Sequence, residues 1–143
     1  MTLLRKIFNP GQYSENIALV LLFLRVIVGA FMLTHGYGKF LKLIGDAPVE
    51  FADPVGIGET ASLALAVFAE FFCSIFLIFG LATRFSAFSL LITMLVVAII
   101  VHAPDPFMRK ELPMLYAAIY IVILKTGAGK YSVDTWIFNR MKG

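Results

Sequence analysis

Arg25 and Glu70 are the two residues in this chain whose type and setting most demand an explanation. Each is the only charge in a long apolar stretch: Arg25 between Ile17 and Thr34, and Glu70 between Thr60 and Ala82. A charge in such surroundings is costly unless it is paired or hydrated, so intramembrane charges are usually functional or matched. At 1.5 Å per helical residue, Arg25 lies roughly 12 Å into its segment and Glu70 roughly 15 Å into the next one. In consecutive antiparallel helices the two would reach similar depth in a hydrocarbon core of roughly 30 Å. The spacing predicts an Arg25–Glu70 ion pair in the interior, whose plainest role is to fix helix register. Losing one partner would strand the other charge. The competing reading has each facing a water cavity separately.

A second constellation lies at the outer end of the same helices. His35 closes the first apolar segment and His102 the third, both roughly 25 Å from the inner ends of their helices. Lys39 is close in sequence to His35, and Glu111 opens the fourth segment on the same side. Tyr116 and Tyr120, four residues apart, share a helix face. These six residues are the candidate outer polar pocket. The plain reading is a set of interfacial side chains solvated by headgroups. The chemical reading is a binding or proton-exchange site for a quinone or similar small molecule, since histidine titrates near neutrality. A metal site using Glu111 and axial haem ligation by the two histidines are minor readings. There is no CxxCH sequence for covalent haem, and no metal is expected. The single cysteine, Cys73, rules out an intramolecular disulfide or a dithiol cycle within this chain; it reads as a small packing residue.

Composition explains why helices must position these groups. Hydrophobic residues make up 60% of the chain and charged ones only 15%, against about 25% in soluble domains. The expected fold is all-α, a single-domain four-helix transmembrane bundle with interfacial N- and C-terminal segments. The helices are expected at about 17–35, 60–82, 85–102 and 112–126. Gly36 and Gly38 are expected to end the first helix. Gly29 and Gly36, on the Arg25 face, would let a neighbouring helix approach. The acidic, turn-rich stretch from Lys42 to Glu59 is the longest loop. Gly80-Leu-Ala-Thr83-Arg84 makes a tight hairpin turn, and Asp105 with Pro106 could start the fourth helix. That helix has only 13 apolar residues between Glu111 and Lys125, which leaves a re-entrant or interfacial segment as the alternative. Leu3 to Phe8 suit a short interfacial helix. Residues 132–142 suit a capped amphipathic one, with Trp136 at the interface.

The net charge of +3 comes from lysines and arginines at segment ends. With four spans, the side carrying both termini holds Arg5, Lys6, Arg84, Lys125, Lys130, Arg140 and Lys142. The other side holds Lys39, Lys42, Arg109 and Lys110, so both termini are expected in the cytoplasm. No long basic run or nucleotide fingerprint is present, and no nucleic-acid partner is expected. Gly127-Ala-Gly129-Lys130-Tyr-Ser132 lacks P-loop spacing and reads as a helix end followed by a cap.

Taken in order, Arg25, His35-Gly36, Lys39, Asp53-Pro54-Val-Gly56-Ile-Gly58, Glu70, Gly80-Leu-Ala-Thr83-Arg84, His102, Asp105, Glu111 and Gly127-Ala-Gly129-Lys130-Tyr131-Ser132-Val-Asp134 resemble the DoxX family of small four-helix membrane proteins. The resemblance covers about residues 15–136. It implies a multi-pass protein of the bacterial inner membrane that supports redox chemistry, with a quinone as the candidate cofactor. The lipid bilayer and an oxidoreductase subunit are the candidate partners. A non-enzymatic scaffold that recruits an oxidoreductase, or a small transporter, is the alternative.

Overall fold

The structure is a computed structural model and describes residues 7–141. Five helices and no strands are found among these residues: α1 (Glu15–Ile44), α2 (Glu59–Phe79), α3 (Thr83–Val101), α4 (Phe107–Thr126) and α5 (Val133–Arg140). α1, α2 and α3 are each long and apolar enough to cross a membrane. The interfacial segment expected at Leu3–Phe8 lies mostly outside the described residues.

α1 and α2 run antiparallel, and glycine sets how closely they approach. A Cβ on Gly36 would collide with the backbone of Glu70 and Phe71, and one on Gly29 would press on Ser74 O and Ile78. The small-residue face read from the sequence is therefore the α1–α2 contact. The same contact corrects the expected end of α1. Gly36 packs within the helix, which continues through Gly38 to Ile44. Helical glycine costs only about 1 kcal/mol relative to alanine, a penalty that close packing can offset.

α2 stops at Gly80 (φ 69°), which takes the left-handed conformation. Gly80 N–H donates to Leu77 O (3.1 Å) and Leu81 N–H to Phe76 O (2.8 Å), the paired bonds of a Schellman ending. α3 then returns along α2, and α4 packs most extensively on α3 while touching α1 lightly. α4 starts at Phe107 rather than Leu112, so it has 20 residues and a length of roughly 30 Å. Its charged first turns keep it from being apolar enough to cross by composition alone.

The core joins all four long helices through Val28, Met32, Cys73, Leu77, Leu90, Met94, Tyr120 and Ile123. The outward faces are also apolar: Val20, Phe23, Phe31, Leu65, Phe79, Ile99 and Leu115 are exposed. A soluble monomer rarely leaves so continuous an apolar surface in water; hydrocarbon is its natural solvent. α5 closes the end where α1 starts, and its Ser132 Oγ accepts from Thr135 N–H (3.2 Å) as an N-cap.

Candidate functional site

Glu70 pairs with Lys39, not with Arg25. Both carboxylate oxygens of Glu70 accept from Lys39 Nζ; the Glu70 side chain is 2% exposed and that of Lys39 is 27% exposed. Helix register explains this correction. The close approach at Gly36 places Glu70 opposite the far half of α1, while Arg25 lies opposite the end of α2 at Gly80. Helical side chains lean toward their own N-terminus. In an antiparallel pair, Lys39 therefore leans back to meet Glu70, which leans out toward it. The expected depth match failed because α2 ends level with Arg25, so the first turns of α1 run past it and pack on Gly129 instead, while α1 continues beyond His35 and carries Lys39 within the helix.

Arg25 is fully buried and caps a helix end. Its Nη1 donates to Leu77 O (3.2 Å) and its Nη2 to Tyr131 O (2.6 Å). Leu77 O belongs to the last turn of α2, where unpaired carbonyls and the helix dipole favour a cation. Asp134 does the converse for α3: its carboxylate accepts from Ala82 N–H (2.7 Å) and Thr83 N–H (2.9 Å), and it attracts Arg25 electrostatically. Burial pushes the Asp134 carboxyl upward, against these hydrogen bonds. Arg84 serves the end of α4 by donating to Leu124 O and to Lys125 O (3.0 Å). Arg25, Arg84 and Asp134 thus cap three helix ends, which gives the turn and tail motifs a structural role. Sequence reasoning missed this arrangement. Its one visible signal was that α3 begins at Ala82-Thr83 without a side-chain cap of its own.

At the opposite end, Lys39 and Glu70 separate two cavities. The first, of about 610 Å³, is an apolar groove between α2 and α3. Leu65, Phe68, Phe85, Phe88, Ile92 and Val96 line it, and Lys39, Glu70 and His102 also belong to its wall. Phe51 and Val55 of the α1–α2 loop stand over the groove. The loop is tied down by Asp53, which accepts from Gly58 N–H (2.8 Å), Ile57 N–H (3.0 Å) and Ser62 Oγ–H (2.7 Å). Those donors hold the Asp53 carboxyl below its usual value, the Ser62 hydroxyl most of all.

The second cavity, of about 480 Å³, is a more polar cleft among α1, α3 and α4 with Glu70 of α2 in its wall, lined also by His35, Lys39, His102, Arg109 and Tyr116 among others. Of the six residues of the candidate outer pocket, it brings together His35, Lys39, His102 and Tyr116. Tyr120 lies deeper, its ring stacked on Tyr116 at 6.1 Å, and is fully buried. Glu111 is exposed and lines neither cavity. Lys39, Glu70, Val97 and His102 are common to both walls.

Backbone irregularity places two of these groups. Glu70 lies in a π-helical segment, Phe68–Cys73, and His102 follows another, Val97–Val101. Wide turns of this kind re-aim side chains and are frequent at functional sites. Apolar periodicity does not reveal them. Asp105, expected as a helix cap, instead turns back to His102, with Nδ1 and Oδ2 2.7 Å apart.

Apolar helices with an apolar outer surface and charges held inside define a membrane protein. The DoxX family model matches residues 20–103, and the chain belongs to the DoxX family. It is 30% identical over 127 residues to an uncharacterized protein of Haemophilus influenzae, covering 84% of this chain and 92% of that one. It is also 29% identical over 122 residues to a Bacillus subtilis protein named "Putative oxidoreductase CatD", covering 85% of this chain and 89% of that one. No solved structure matches.

Proposed function

We propose that this protein is a redox-associated membrane subunit that binds a quinone or a similar lipid-soluble molecule. The observation that carries the reading is the groove between α2 and α3: apolar along its length, with Lys39, Glu70 and His102 grouped in its wall. Ligand sites characteristically combine an apolar wall with a few convergent polar groups. A ring and tail would lie on Phe68, Phe85, Phe88 and Ile92, and a ring oxygen would meet the Lys39 ammonium or the His102 imidazole. The name of the Bacillus subtilis relative agrees with a redox role.

With one cysteine, the chain runs no dithiol cycle of its own, so electrons would pass between the bound molecule and a partner oxidoreductase. In this reading α4 is the fourth crossing and both termini face the cytoplasm of a bacterial inner membrane. Reporter fusions at the two termini and in the 45–58 loop test that topology.

The binding test is titration of the purified protein in lipid nanodiscs with decylubiquinone, on wild type, His102→Ala and Ser89→Trp. Ser89 lines the groove, so a tryptophan there fills it. Saturable binding in wild type, weakened in His102→Ala and lost in folded Ser89→Trp, supports the reading. Equal uptake by all three samples or by empty nanodiscs overturns it.

A further inference from the structure

His102 makes one contact that ligand binding alone does not require. Its Nδ1 lies 2.7 Å from Oδ2 of Asp105. The short turn between α3 and α4 fixes this geometry: Asp105 N–H donates to His102 O (3.0 Å), and His102 N–H closes the π-helical segment on Val97 O (2.9 Å). Arg109, one turn into α4, approaches the same carboxylate oxygen at 3.7 Å. The His102 hydrogen bond is also the main influence holding the Asp105 carboxyl below its usual range.

A carboxylate at Nδ1 selects the tautomer with the proton on Nδ1. The lone pair is then on Nε2. Among the described residues no protein group hydrogen-bonds Nε2. His102 also belongs to the walls of both the apolar groove and the polar cleft. The ring therefore stands between a site suited to a lipid-soluble molecule and a cleft suited to water, with its basic nitrogen unclaimed.

We propose that His102 Nε2 exchanges a proton between a quinol or quinone oxygen in the groove and water in the polar cleft, with Asp105 as its positioning residue. The inference rests on the quinone reading above and adds the proton route. In one direction the phenolic O–H of a quinol breaks as the Nε2–H bond forms, leaving a quinolate and an imidazolium. The imidazolium then releases that proton to cleft water and returns to the neutral Nδ1–H form. The reverse sequence protonates a quinolate oxygen. Only a proton moves in these steps.

The groups around the ring suit reversible exchange. Asp105 in the loop and Glu70 on α2 favour the imidazolium. Lys39 on α1 and Arg109 on α4 oppose it, and His35 and Tyr116 complete the polar wall. A general acid–base works best when neither protonation state is strongly preferred.

The chain has two histidines, so their side-chain ¹⁵N resonances can be resolved in the full-length protein, using His35→Ala for assignment. The expected result in wild type is an Nδ1–H neutral tautomer for His102. In Asp105→Asn that tautomer preference should be lost, as expected on removing the carboxylate that fixes the Nδ1 proton, and Asp105→Glu should restore part of it. Decylubiquinol should perturb both the groove amides near Phe85–Thr93 and the His102 Nε2 resonance. An Nε2–H tautomer in wild type, or an Nδ1–H preference unchanged in Asp105→Asn, overturns the proposal. Groove perturbation without a change at His102 overturns it while leaving the quinone reading intact. Absence of any groove perturbation overturns both.

Discussion

Lys39 on α1 and Glu70 on α2 form an ion pair that stands in the wall of both cavities, one apolar and one polar. Its carboxylate is almost wholly buried and its ammonium is partly exposed. The Lys39 ammonium is the side of the pair that a ligand oxygen could reach without uncovering a buried charge.

Coupling energies distinguish this pair from the Arg25–Glu70 pairing that segment depth alone suggests. Lys39→Met and Glu70→Gln should each destabilise the protein, by roughly 1–3 kcal/mol after allowing for the exposure of Lys39, and the double change should cost less than the sum. Arg25→Leu combined with Glu70→Gln should be additive within about 0.5 kcal/mol, as expected for groups that do not touch. Unfolding in mixed detergent reads both cycles; coupling in the second would restore the Arg25–Glu70 pair.

Arg25 should behave as a structural cap. Arg25→Leu removes the donor to Tyr131 O, at about 1–3 kcal/mol for an unsatisfied group, and one of two donors to Leu77 O, which keeps Gly80 N–H. Asp134→Ala should cost about 1–2 kcal/mol through the lost cap of α3. Both variants, where they fold, should retain ligand binding. Thermal melts and the nanodisc titration measure the two effects separately.

Gly36→Ala tests how closely α1 and α2 must approach. Its Cβ would meet the Glu70 backbone, which cannot swing aside as a side chain can. The helices should part, weakening the Lys39–Glu70 contact, so the melting temperature and quinone affinity should fall together. Gly38→Ala, where a Cβ meets nothing within 4 Å, should be neutral or slightly stabilising.

The α1–α2 loop should loosen in acid. The hydrogen bonds to Asp53 lower its folded carboxyl below the unfolded value, about 3.9 for aspartate. The stabilisation is therefore present above that value and is lost as pH falls through the folded one. Amide exchange at Ile57 and Gly58 should accelerate on acidification across that window in wild type. In Asp53→Asn it should already be faster at neutral pH and change less.

Composition and periodicity made the apolar helices, the α2–α3 hairpin and the α1–α2 glycine face legible. Of the six residues grouped at the outer end, His35, Lys39, His102 and Tyr116 line one cleft, while Glu111 and Tyr120 fall outside it. Three things were not legible. α1 runs through two glycines because α2 packs on one of them. Glu70 sits within a π-helical segment, and His102 at the end of another, that no apolar pattern marks. The partners of Arg25 are backbone carbonyls, which every residue possesses and no side-chain pattern distinguishes.

The most direct measurement is photoaffinity mapping with an azidoquinone on the protein in nanodiscs, read by peptide mass spectrometry. The groove reading expects adducts on α2 at Leu65–Ala69 and on α3 at Phe85–Thr93. Excess decylubiquinone should suppress them, and they should be absent in Ser89→Trp. Adducts spread over the lipid-facing residues of all the helices, or unaffected by competitor, would contradict a quinone site between α2 and α3.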